Sequence, residues 1–163
     1  MANKFRFYSF VAGLYLSPLQ CGLQTAHAVS EMVNALSSAP EVGRELRVFD
    51  EWAQKDKTII ILNALNNEGV YTVYHMLKPF AIEMGLPLTI FHEDEQSMNN
   101  MATATGIIVP EKFYNVKYTP RRFFILGEQY TYVNPDDPTD IQEYLQDSPE
   151  FKFIKILKGY KLV

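Results

Sequence analysis

The chain has 163 residues, nearly half of them apolar, with ten Tyr and eleven Phe, so one well-packed domain, or one domain with an appendage, is expected and disorder is excluded. A net charge of −4 argues against tight, unaided binding to long nucleic acid, which draws its affinity from neutralising phosphates, but allows a small phosphorylated ligand. The lone Cys21 excludes an internal disulfide and fits a reducing, cytoplasmic interior.

Residues 5–16 are aromatic and β-rich and read as a buried first strand rather than a signal peptide or membrane span. Ser17, Pro18 and Gln20 then form a helix-entry signal: a capping serine, a proline at the first helical position and an S-x-x-Q capping box. The helix extends from Pro18 to Leu36. At about 100° per residue, Gln20, Gln24, His27, Glu31 and Asn34 gather in one narrow polar seam, and the remaining positions are mostly apolar or small. That pattern predicts a helix buried on most sides, its seam lining a cleft, meeting a partner or satisfying an interior network.

A second helix is expected over Glu41–Gln54, and Lys57–Asn63 reads as a strand covered on both faces. Asn66 or Asn67 caps a third helix to Met84, with Pro79 expected to kink it and Gly85 to close it. Strands follow at Pro87–Phe91 and Ala102–Val109, separated by a polar loop or short helical turn, His92–Asn100. This alternation predicts an α/β fold, a mixed β-sheet with helices packed on both faces. Beyond Pro110, residues 121–126 and 130–133 suggest a hairpin about Gly127–Gln129. Asn134–Pro138 reads as a loop, and Thr139 or Asp140 caps a short acidic helix to Gln146. The tail from Ser148 favours a helix by its lysine spacing, while its Phe-Lys-Phe alternation allows a strand.

Two stretches together resemble a known family. The first is Gln24-Thr-Ala-His-Ala28 on the helix after the first strand. The second, about sixty residues on, is Gly85-Leu-Pro87, then a strand, an acidic loop and an apolar strand ending in Pro110. The pattern is similar to the archaeal and eukaryotic type of peptidyl-tRNA hydrolase. The resemblance covers roughly residues 5–112 and implies an α/β domain over 1–112, with 113–163 as a C-terminal extension packed on it. In that family a lysine essential for cleaving the peptide–tRNA ester opens the helix; its place is taken here by Gln20. The family glutamine and histidine match Gln24 and His27. The Asp-x-Gly-x-Thr loop falls on residues 93–97, with Glu93 standing for the aspartate, Ser97 for the threonine and Glu95 for the glycine. Either Thr103 or Thr105 lies at the second threonine.

An amide in place of an ammonium can only hydrogen-bond, and losing one charged stabiliser typically costs about a hundredfold to a thousandfold in rate. Lys57 could compensate only by reaching the same cleft. The expected function is therefore a binding protein on this scaffold, holding a nucleotide or other phosphate-bearing ligand without efficient hydrolysis. Gln20, Gln24 and His27 would contact the ligand opposite Glu93, Asp94 and Ser97, with no metal and no cofactor. Look-alikes occur in the genomes of large bacterial viruses, where sequestering a host signalling nucleotide is the analogous role. One alternative is an active hydrolase using Gln24, Glu93 and Ser97 on tRNA. The other is a structural protein whose seam is buried in a homo-oligomer.

Each residue also has an ordinary reading. On that reading Gln20 serves only its capping box, His27 is structural, Cys21 is core, and Glu93–Glu95 form a solvated loop. Arg121, Arg122 and the tail lysines are a solvated face or a phosphate patch.

Overall fold

Two long apolar strands at the centre organise the chain. The computed structural model describes residues 4–14, 16–39, 43–115, 125–126, 129–133, 141–145 and 149–163. In order these form β1 (Phe5–Val11), α1 (Pro18–Ser37), α2 (Arg44–Glu51) continuing into a π-helical turn (Trp52–Asp56), β2 (Ile59–Asn63) and α3 (Asn67–Met84). Then come β3 (Leu88–His92), α4 (Glu95–Met98), β4 (Ala102–Pro110), α5 (Glu111–Tyr114), β5 (Ile125–Leu126), β6 (Gln129–Val133), β7 (Ile141–Leu145) and α6 (Pro149–Gly159).

The main sheet is mixed, in the order β2-β1-β4-β3. β1 runs parallel to β2 and antiparallel to β4, and β3 runs antiparallel to β4. Because strand side chains alternate, β1 feeds two cores. Phe5, Phe7 and Val11 pack with Cys21, Ala28, Met32 and Leu36 of α1 and with Val48 and Trp52. Tyr8 and Phe10 pack with Val70, Val73 and Leu77 of α3 and with Phe153, Ile154 and Leu157 of α6. Gly106 on β4 lets the Phe7 ring lie against the backbone: a Cβ there would stand 2.2 Å from Phe7 Cζ. Gly85 closes α3 in the left-handed region at φ 61°, as its residue type allows.

Several expectations change. α1 is not buried on most sides: its buried stripe is Cys21, Gln24, Thr25, Ala28, Met32 and Leu36, while Leu19, Leu23 and Val33 face outward. The sheet covers only one side of the helix, and no described element covers the other. The first strand ends at Val11, not Leu16. The second helix is described from Arg44, and Gln54 falls in the π-helical turn, which stops at Lys57 in the left-handed region at φ 51°. β2 is not covered on both faces. It is the outermost strand on its side, with Ile59 exposed and only Leu62 buried. α3 continues through Pro79 as one helix.

The expected acidic helix up to Gln146 is instead the strand β7, which pairs antiparallel with β6. Pairing with a neighbouring strand outweighs the weak helical propensity of five residues. The hairpin joins β5 to β6, with Gln129 inside the strand rather than the turn. Residues 121–124, the turn at 127–128, the loop 134–138 and the capping residues 139 and 140 lie outside the described residues. The tail is helical. Phe153 is fully buried, edge-on to Phe113 at 5.1 Å and 5.7 Å from Phe80. Beyond α6 the last residues extend along β2: Asn63 N–H donates to the Lys161 carbonyl at 2.8 Å and Val163 N–H to the Ile61 carbonyl at 3.1 Å. No helix among the described residues is long and apolar enough to cross a membrane.

Candidate functional site

The start of α1, the end of β3 and the start of β4 meet at the edge of the sheet where β1 ends. A β-bulge sets the geometry. Phe91 lies opposite Ala104 and His92 opposite Ala102, which leaves Thr103 as the extra residue. An inserted residue reverses the alternation of side chains along the strand. Thr103 is thereby turned to the α1 face, where its Oγ1 donates to Gln24 Oε1 at 2.8 Å. Gln24 Nε2 in turn donates to Glu93 Oε1. Thr103 and Gln24 are buried and Glu93 is half-buried.

The amide of Gln24 is thus engaged at both ends, as a buried polar group requires. It fixes the carboxylate of Glu93 at the mouth of the site. Beneath it, Ser9 Oγ and Thr25 Oγ1 are 2.8 Å apart, and Thr25 Oγ1 donates to the Cys21 carbonyl.

Thr105, the other candidate for the second threonine position, lies on the far side of the bulge. Its hydroxyl donates to the Thr89 carbonyl at 2.7 Å. Thr103 is therefore the threonine that joins Gln24 and Glu93.

The expected seam along α1 does not form one ladder. Gln24 turns inward, whereas Gln20, His27, Glu31 and Asn34 are exposed. Gln20 completes the capping box. Its Oε1 accepts from Ser17 N–H at 2.8 Å, and its own N–H donates to Ser17 Oγ at 3.3 Å. Cys21 N–H donates to the Ser17 carbonyl and Pro18 has no N–H. Within this first turn only the Leu19 N–H is open among the described residues. His27 stacks on Phe91, with ring centres 4.7 Å apart and planes 13° apart. Its outer face remains exposed.

Asp94 and Ser97 are also brought to this edge, but they are engaged with each other. Asp94 Oδ1 accepts from Ser97 N–H at 2.7 Å and Oδ2 from Ser97 Oγ at 2.8 Å. These bonds favour the ionised carboxylate and hold Asp94 below its ordinary pKa. The pair caps α4. Glu95 occupies the first position of that helical turn, and Asn99 and Asn100 leave it in the left-handed region at φ 55° and 58°. This stretch is therefore a capped helical turn.

Cys21 is 1% exposed, and its burial pushes the thiol pKa up, which makes it core rather than nucleophile. Among the described residues, no group of three or more His, Cys, Asp or Glu is placed to hold a metal.

Lys57 lies at the opposite end of the sheet. Ile59 pairs with Phe7 and Asn63 with Val11, so at about 3.3 Å per residue the two ends of β2 are ~13 Å apart. A lysine side chain at the start of β2 does not reach a site at the end of β1.

Sequence reasoning missed Phe91 as the partner of His27, and Leu65. Leu65 sits at φ 70°, with its side chain exposed and its carbonyl accepting from Leu14 N–H. The Asn63 side chain, which accepts from Leu65 N–H at 2.8 Å, was the only local sign of that turn.

Comparison with protein-family models and with curated protein sequences gives no match.

Proposed function

We propose that this chain is a binding protein on a peptidyl-tRNA-hydrolase-like scaffold, holding a nucleotide or other phosphate-bearing ligand beside the start of α1 without efficient hydrolysis. One observation carries this reading. The position that the family keeps cationic is Gln20, whose carbonyl oxygen is tied to the Ser17 backbone, and Lys57 lies at the other end of the sheet. An amide there orients a ligand but does not supply the full charge that stabilises an oxyanion.

Glu93 decides how the ligand lies. A carboxylate and a phosphate 4 Å apart repel by ~4 kcal/mol at a protein surface. The phosphate therefore turns away from Glu93, toward the open Leu19 N–H and the Gln20 amide nitrogen. The base or sugar faces Glu93 with its hydrogen-bond donors, and the exposed face of His27 gives the base a ring to stack on.

Native mass spectrometry of the purified protein, then thermal shifts with mono-, di- and cyclic nucleotides and the matching nucleosides, tests this. A nucleotide at a hundred times its Kd stabilises by ~2.7 kcal/mol, a rise of roughly 5–10 °C in Tm. The expected result is such a shift, together with no release of peptide from a model peptidyl-tRNA. No retained ligand and no shift with any nucleotide would leave the interaction-protein reading. Peptide release that disappears in Glu93→Gln would establish the hydrolase.

A further inference from the structure

The outer edge of β3 is open and regular. Ile108 N–H donates to the Pro87 carbonyl, which sets the phase of the antiparallel ladder between β3 and β4. Hydrogen-bonded pairs therefore fall at Pro87, Thr89 and Phe91, and they resume at Glu93, whose N–H donates to the Met101 carbonyl. Leu88, Ile90 and His92 turn their N–H and C=O groups the other way. Among the described residues none of these six groups has a partner. The extra residue of the bulge lies on β4, so β3 itself keeps its extended geometry.

The first part of this edge, at Pro87 and Leu88, lines a groove of about 210 Å³. One wall is α3, presenting Tyr74, Lys78 and Ile82. The other is the end of α1, presenting Met32, Ala35 and Leu36, with Glu45 of α2 beside it. Ile82 is 70% exposed although it lines the groove. Lys78 lies over the Tyr74 ring at 5.7 Å, and among the described residues it has no carboxylate partner. Tyr71 extends the α3 wall to the far end of the strand, where its hydroxyl is 3.0 Å from His92 Nε2.

We propose that the β3 edge is a docking site for an extended peptide segment, which adds as a further strand. Such a strand satisfies the open backbone groups of Leu88, Ile90 and His92. Its side chains alternate between the two walls. The residue toward α3 meets Lys78 and is acidic. The next, toward α1, meets Met32 and Leu36 and is apolar. The groove at the Leu88 end, with Lys78 on its wall uncompensated among the described residues, favours a slender acidic-apolar peptide over a second copy of this chain, which would bring its own two helical walls and its own Lys78. The strand is also short: five residues of edge fall well below the roughly 800 Å² per partner that holds two folded chains together.

The probe is the peptide Ac-Thr-Asp-Leu-Thr-Leu-NH2, with a version N-methylated at all five residues as control, which removes every N–H that can face β3 in either strand direction. The readout is residue-resolved amide exchange on the full chain. In the free protein the amides of Leu88, Ile90 and His92 exchange fast, and those of Thr89 and Phe91 slowly. Saturating peptide slows the first three by about tenfold or more and leaves the other two unchanged. The N-methylated peptide slows none. Lys78→Glu and Ile82→Arg, both at the surface, each weaken the peptide about tenfold, whereas Lys55→Glu on the π-helical turn does not. Three results overturn the proposal: no slowing at millimolar peptide, the three amides already protected in the free chain, or protection that rises with protein concentration as the mass doubles. The second would mean that the chain covers its own edge, the third that a copy does.

Discussion

The two edges of the main sheet are treated in opposite ways. Beyond β2, the chain returns its own last residues, and Lys161 and Val163 bond to Asn63 and Ile61. Beyond β3, no described residue pairs. A bare strand edge invites other chains, so proteins usually shorten it, charge it or cover it. Here β2, with Ile59 and Ile60 incompletely buried, is covered. β3 carries no charge of its own and is left between two helical walls. The difference teaches that α6 does more than fill the core. It aims the tail at one edge, and that edge is removed from any role in binding.

The largest effect should come from the anchor of the covered edge. Phe153→Ala removes a fully buried ring between Phe80 and Phe113 and should destabilise by about 3–5 kcal/mol in urea unfolding. A loss under about 1 kcal/mol would show that α6 does not anchor the tail.

Deleting Lys161–Val163 tests the cover itself. Two backbone bonds disappear, at a loss of about 1–3 kcal/mol, and the amide of Asn63 should exchange faster. Light scattering should rise with concentration as β2 becomes a bare edge. If it does not, the comparison between the edges fails.

Next to the open edge, Thr103→Val removes the hydroxyl that holds Gln24 and should cost about 1–2 kcal/mol. Nucleotide-induced stabilisation should fall with it, because Glu93 loses its fixed partner. Unchanged ligand response would separate the bulge from the binding site.

Ile82→Lys should change stability by less than about 0.5 kcal/mol, since this wall of the open groove supports no core. A large loss would mean that the groove is already filled.

The smallest effect concerns pH. Asp94 is held below its ordinary value of 3.8 by Ser97, so its contribution to the α4 turn is complete above that value. It disappears as pH falls through the depressed pKa. The Ser97 amide should then exchange faster, with no change at Leu88 or Ile90.

Some parts of this arrangement were legible in single residues. Ser17, Pro18 and Gln20 announced the start of α1, and Asn66 and Gly85 bounded α3, because caps are local hydrogen bonds with local residue preferences. Gln24 and Glu93 were singled out by the resemblance, and the structure joins them. The choice between Thr103 and Thr105 was not legible. A bulge has no strong local signal here, and the bond it creates spans 79 residues. β2 was misread for a related reason: an apolar run looks alike in the middle of a sheet and at its edge. β7 was misread because a run of only five residues takes its form from whatever strand lies beside it.

By itself the sequence determined the alternation of strands and helices, the positions of the caps and the neutral amide of Gln20 where α1 begins. These follow from residue type and short-range spacing. Only the tertiary structure decided which face of α1 is buried, which threonine reaches Gln24, where Lys57 ends up and which edge of the sheet is covered. Each of those depends on strand order and register, which long-range packing sets and no short window of residues contains.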